Sequence, residues 1–266
     1  MTTNASMNSV KQTATTTGDK DMNTNRPTAA IKGDKLQLTG AKLIRWSGLA
    51  AVLAGIIFAV IQPIHPLEVV ASVTTSAWAI ITGFKTAMCL LFLLGITGIY
   101  ARQVNRAGWL GLAGFLLLFL SWALQMAFVF TEAFILPLLA TSAPAFVNGV
   151  LGNLARGQAS AVDLGALPLI YSLGVTVPYL LGGLLFGLAT LRAGILPRWA
   201  AGLLAVTAAL TPLAALAPHA IQRLAAIPMG LALACLGYAL WAERRAQAAE
   251  AVPGKTSPQL LQTVAE

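Results

Sequence analysis

The sequence predicts an all-α fold: a polytopic transmembrane helical bundle of six spans with both termini cytoplasmic. Three observations lead there. Of the 266 residues, 57% are hydrophobic and 10% charged, against ~45–50% and ~25% in an average soluble protein. So few charges could not cover the water-facing surface of a soluble domain. The apolar residues gather in six runs, each near the ~20 residues that carry a helix across ~30 Å of hydrocarbon. Lys and Arg, finally, fall mostly in connections on one side of those runs.

Taken in order, residues 1–40 read as a disordered polar tail. Thr, Asn and Ser dominate it, as in Thr15-Thr16-Thr17 and Asn23-Thr24-Asn25. Such a segment buries too little apolar surface to offset its ordering entropy. No apolar core follows a short basic start, so it does not read as a signal peptide. Residues 41–245 form the transmembrane domain, with spans near 44–64, 77–100, 108–133, 168–191, 198–218 and 221–243. Residues 246–266 read as a short cytoplasmic tail. Strict alternation of polar and apolar residues is absent, which disfavours a β-barrel.

Orientation follows from charge. Lys11, Lys20, Arg26, Lys32, Lys35, Lys42 and Arg45 precede or open the first span. Arg102 and Arg106 lie between spans two and three, Arg192 and Arg198 between four and five, and Arg244, Arg245 and Lys255 after the sixth. The opposite side has Arg156 and Arg223, and Lys85 lies within a span. The positive-inside bias therefore puts both ends in the cytoplasm, which an even number of spans requires. It also accounts for the net charge of +8 without a nucleic-acid partner. The partner this pattern implies is the lipid bilayer. Trp46, Trp109, Trp199 and Trp241 mark inner boundaries and Trp78 an outer one, as an aromatic belt would, whereas Trp122 lies deep in the third span.

Between spans three and four, Ser142 and Pro144 signal a helix start. Phe146, Val147, Val150, Leu151 and Leu154 then share one face, which predicts a short amphipathic helix at the outer interface. Arg102 and Trp109 recur 90 residues later as Arg192 and Trp199. A duplicated helical hairpin would produce this, as would basic loops followed by belt tryptophans, which are expected at any inner boundary and are the favoured reading. Ser47, Ala51 and Gly55, and Gly183 and Gly187, recur every fourth residue and predict close helix contacts, with a homodimer as one use for them.

Ionisable groups at membrane depth are costly and point to function by default. Away from the basic inner side stand His65, Glu68, Lys85, Glu132, Arg156, Asp163, His219 and Arg223. Lys85 and Glu132 are the informative pair. They lie on antiparallel neighbouring spans, and helical side chains lean toward their own N-terminus. Lys85 thus leans outward and Glu132 inward, toward each other. Ser121 and Gln125 share the Glu132 face, and Thr82, Thr86 and Cys89 the Lys85 face. Together they predict a polar seam in the outer half of the membrane. The seam either fixes helix packing or forms a ligand site of Lys85, Gln125 and Glu132. Pro178, Pro212 and Pro228 interrupt spans four to six. The stripes Ser172, Thr176, Tyr179 and Thr207, Thr211 beside them either line a cavity or satisfy kinked backbone.

Catalysis is not expected. The sequence has no Walker sequence, no G-x-S-x-G and no H-E-x-x-H, and its two cysteines, Cys89 and Cys235, sit in apolar runs as packing residues. No catalytic residue, metal ligand or cofactor is assigned. Three functional readings fit: a small permease-like or ligand-sensing protein with an outward-facing polar pocket; a structural or regulatory membrane subunit; and a metal- or haem-binding protein using His65 and His219.

Four strings carry a resemblance: Gly98-Ile-Tyr-Ala-Arg-Gln103, Phe130-Thr-Glu-Ala-Phe-Ile-Leu-Pro137, Leu191-Arg-Ala-Gly-Ile-Leu-Pro-Arg-Trp-Ala200 and Leu236-Gly-Tyr-Ala-Leu-Trp241. Over roughly residues 42–245 the chain resembles uncharacterised bacterial multi-pass membrane proteins, of the domain-of-unknown-function kind. The resemblance implies six spans in a bacterial plasma (inner) membrane and transfers no activity.

Overall fold

The computed structural model describes residues 39–250, excepting the side chains of residues 154–156, 219–220 and 244–250. The polar N-terminal tail and residues 251–266 lie outside the described residues. Every regular element described is helical: α1 (Gly40–Ile64), α2 (Ser76–Phe130), α3 (Leu136–Leu139), α4 (Pro144–Arg156), α5 (Leu167–Ile170), α6 (Val177–Ala193), α7 (Arg198–Ala214), α8 (His219–Ala225) and α9 (Ile227–Glu250). π-helical turns at Thr131–Ile135 and Tyr171–Thr176 join α2 to α3 and α5 to α6. Four segments are long and apolar enough to cross a membrane: Gly40–Ile64, Ser76–Leu139, Leu167–Ala193 and Ile221–Glu243. Arg198–Ala214 is apolar but shorter, at 17 residues.

The 64-residue segment Ser76–Leu139 is not one rod. Gly108 interrupts α2 with φ 58° and ψ −164°, a conformation open to glycine and strained for any residue with a Cβ. The two arms fold back on each other about that point. Tyr100 stacks on Phe115 (4.5 Å between centroids, 7° between planes) and Phe92 on Trp122 (4.2 Å, 29°).

Small residues set the rest of the packing. Gly95 and Gly98 on α2 receive Ala51 and Ser47 of α1. Gly48 and Gly55 of α1 face the backbone of Gly237 and Gly230 on α9. Gly114 in the second arm of α2 meets Phe186 of α6, while Gly182 of α6 meets Leu118. Gly187 packs against Ala205 of α7, and Gly183 against Ala208 and Met229. The order α1, first arm, second arm, α6, α7, α9 therefore runs around a closed ring, with the last helix against the first. A Cβ-less face lets two backbones approach, and in lipid that close packing supplies much of the attraction between helices. The small-residue faces read from the sequence are thus spent inside the chain.

Inside the ring lies one core that includes Phe92, Ile96, Leu118, Trp122, Phe186, Leu204, Met229, Leu233 and Leu236. Cys89 belongs to it, fully buried, and Cys235 is half-buried at its edge. At one end of the bundle Arg102 forms a two-pronged ion pair with Glu243, with Nε 3.0 Å from Oε2. Nearby, Gln103 donates to Thr190 Oγ1 at 2.7 Å. The opposite end is covered by α4. Its Val147, Val150 and Leu151 are buried with Val73, Trp78, Leu136 and Leu164. The amphipathic helix expected there is present, but Ala143 rather than Ser142 precedes it, with no side-chain cap.

The tryptophans split. Trp46, Trp109 and Trp199 are exposed, as belt residues are. Trp78 is fully buried, which corrects its reading as a belt residue. Its ring is held by a hydrogen bond that the sequence pattern does not reveal.

Candidate functional site

Two prolines shape the site. A π-helical turn bonds each N–H one residue further back than an α-helix does, which widens the coil. The Leu136 N–H reaches Thr131 O, and the Val177 N–H reaches Ser172 O. The residue after each of these donors is a proline, Pro137 and Pro178, which has no N–H to continue the series. In the first turn this leaves the Glu132 carbonyl without its helical donor. Trp78 supplies one instead: its Nε1–H donates to Glu132 O at 2.9 Å. In the second, Ser121 Oγ donates to Val175 O at 2.9 Å. Thus the Glu132 backbone is pinned from α2, and the Tyr171–Thr176 turn is pinned from the second arm.

Glu132 and Lys85 form the expected ion pair, Nζ against Oε2, with side chains 18% and 15% exposed. The pair is the centre of a longer chain. Lys85 Nζ is 3.4 Å from His65 Nε2. His65 Nδ1 is 3.6 Å from Glu68 Oε1 and 2.7 Å from the Pro66 carbonyl. Arg223 closes the line: Nη2 is 3.0 Å from Glu68 Oε1, and Nη1 donates to His65 O at 3.4 Å. The His65 ring also stands edge-on to Trp78, 5.6 Å between centroids. Burial, then the Lys85 and Arg223 charges, push the His65 imidazolium down to a pKa of about 4, so the ring is neutral at pH 7.

Beside this line lies a cavity of about 250 Å³. Phe58, Ile61, Met88 and Val175 give it apolar walls, and Lys85, His65 and Arg223 line it as well. Gln125, Tyr171, Tyr179 and Trp122 add to the polar lining, with Gln62, Ser121 and Thr176, and the Gln125 amide meets the Tyr171 hydroxyl. Trp122 is 3% exposed, yet its Nε1–H has no hydrogen-bond partner among the described residues. A buried donor left unmatched costs ~1–3 kcal/mol.

Of the three residues assigned from the sequence, Lys85 and Gln125 line the cavity. Glu132 holds Lys85 from behind and opens onto a neighbouring recess with Phe146 and Leu167. Thr176 and Tyr179 of the Pro178 stripe reach the cavity, whereas Ser172 bonds Leu169 O. Of the Thr207 and Thr211 stripe, Thr211 bonds its own helix, Oγ1 on Thr207 O at 2.8 Å. The sequence did not show that Glu68 and Arg223 join the site, because they come from a loop and from α8. Pro137 and Pro178, each standing inside a long helical run, were the available signal for the two π-helical turns. The His219 and Arg156 side chains lie outside the described residues. Among the described residues no group of three or more His, Cys, Asp or Glu is placed to hold a metal ion.

Comparisons with known protein families, with curated proteins and with solved structures find no match for this chain. The apolar helices define an integral membrane protein.

Proposed function

We propose that the chain is a six-span protein of a bacterial inner membrane, with both ends cytoplasmic, that binds a small molecule in a pocket open toward the outer side, as a permease or a ligand sensor does. Six spans follow if Ser76–Leu139, about 96 Å long at 1.5 Å per residue, crosses twice by folding at Gly108, and if α7 crosses with the residues that flank it. The basic connections then face inward. Lys85, Glu132, His65 and Arg223 stand in the outer half.

One observation carries the binding reading. The cavity combines apolar walls with convergent polar groups, and among the described residues the charged members of its wall, Lys85 and Arg223, are both cations. The small-residue faces already serve contacts within the chain, so a second copy would dock on another surface.

Native mass spectrometry of the gently extracted protein tests the reading. The wild-type chain is expected to carry a small molecule of defined mass, and Gln125→Trp, which fills the cavity, is expected to lose it. A wild-type chain bearing lipid alone, unchanged by Gln125→Trp, would count against a pocket and favour a structural or regulatory subunit.

A further inference from the structure

We infer that the ligand is a small organic anion, a carboxylate on an apolar body. This rests on the binding reading above and adds the chemical class. The line of charges as a whole is balanced, with Arg223 and Lys85 against Glu68 and Glu132. The cavity wall is not. Among the described residues its charged members are Lys85 and Arg223, and neither Glu68 nor Glu132 lines it. A ligand in the cavity therefore meets the two cations at closer range than their carboxylates, and Coulomb attraction falls with distance.

The donors agree with that sign. Arg223 has five N–H groups. Its contacts to Glu68 and to the His65 carbonyl engage Nη2 and Nη1, which leaves donors for an incoming carboxylate. His65 reports the same field. Its ring stays neutral although Glu68 Oε1 is 3.6 Å away, with burial and then the Lys85 and Arg223 charges opposing the proton.

The remaining walls set the body. Phe58, Ile61, Met88 and Val175 exclude a strongly hydrated molecule. Trp122 stacks on Phe92, seven residues along α2 from Lys85, so its ring walls the cavity about 10 Å deeper than the Lys85 level. An ammonium ligand would meet two cations. A neutral amide would gain less from them than a carboxylate, because charge-assisted hydrogen bonds are about twice as strong as neutral ones.

Three probes that share a ring and a hydroxyl isolate the head group: 4-hydroxybenzoate, 4-hydroxybenzamide and 4-hydroxybenzylamine. Their binding to the full chain in detergent is measured by calorimetric titration. The benzoate is expected to bind at least about tenfold more tightly than the amide, the factor that one charge-assisted bond supplies, and the amine weakest. The paired variant Arg223→Gln with Glu68→Gln leaves no charge stranded. It is expected to cut the benzoate affinity by about tenfold and the amide affinity by clearly less. If the amide or the amine binds as tightly as the benzoate, or the paired variant leaves the benzoate affinity intact, the anion assignment is overturned while the pocket stands. If no probe binds, the pocket falls with it.

Discussion

The indole Nε1–H of Trp78 donates to the backbone carbonyl of Glu132, 54 residues later, at 2.9 Å. The bond fills the vacancy left where Pro137 follows a π-helical turn, and it fixes the backbone that carries the Glu132 carboxylate. Trp78→Phe keeps the ring and removes the donor. It is expected to cost about 1–3 kcal/mol, the penalty of stranding a buried carbonyl, read as a lower melting temperature in detergent. The neighbouring exposed residue Ile80 offers the control: Ile80→Val should be near neutral.

The Lys85–Glu132 pair is mostly buried. Removing one partner strands a charge, so Lys85→Met alone is expected to destabilise by about 2–3 kcal/mol, below the 3–5 kcal/mol of a fully buried pair. Lys85→Met with Glu132→Gln should recover most of that loss. Equal stability of the single and the double variant in chemical unfolding would show that the two residues do not couple.

Acid should weaken the protein through His65. The group is near its ordinary 6.5 in the unfolded chain and about 4 when folded, facing Lys85, Arg223 and Glu68, with Glu132 behind Lys85. Below pH 6.5 the unfolded chain takes up a proton that the folded one refuses. Stability is therefore complete above pH 6.5 and falls as pH drops toward 4. Melting curves from pH 7.5 to 5 should show a steeper decline for wild type than for His65→Gln. Parallel declines would remove His65 from the account.

Glycine positions that look alike in sequence should differ sharply. A Cβ at Gly230 would stand 2.8 Å from Gly55 O, whereas one at Gly83 meets nothing within 4 Å. Gly230→Ala is expected to cost about 1–3 kcal/mol by forcing α1 and α9 apart. Gly83→Ala should be neutral or stabilise by up to about 1 kcal/mol, since alanine favours a helix interior. Thermal melts of the two variants side by side decide it.

The helices were legible because each is a long apolar run bounded by basic residues or by glycine and proline. The Lys85–Glu132 contact was legible because both helical lean and antiparallel neighbours follow from spacing alone. Trp78 was misread because belt and buried tryptophans occupy the same sequence position, and what separates them is a partner 54 residues away. Glu68 and Arg223 were visible as charges, yet a loop and a short helix carry no period that would aim them at Lys85. Arg102 was counted only toward orientation, because Glu243 lies 141 residues further on. Periodicity reports which face a residue occupies, and a site built from four elements needs their mutual placement as well.

The contact of α1 with α9 has a consequence for the order in which the protein is made. The glycine notch at Gly55 leaves the ribosome 175 residues before its match at Gly230. At ~5–20 residues per second the two are separated by on the order of 10–35 s of synthesis. Through that interval the first helix waits in the bilayer with one side bare, and the growing bundle is an open ribbon. Closure belongs to α9, so a chain that stops short of it forfeits the seal on α1.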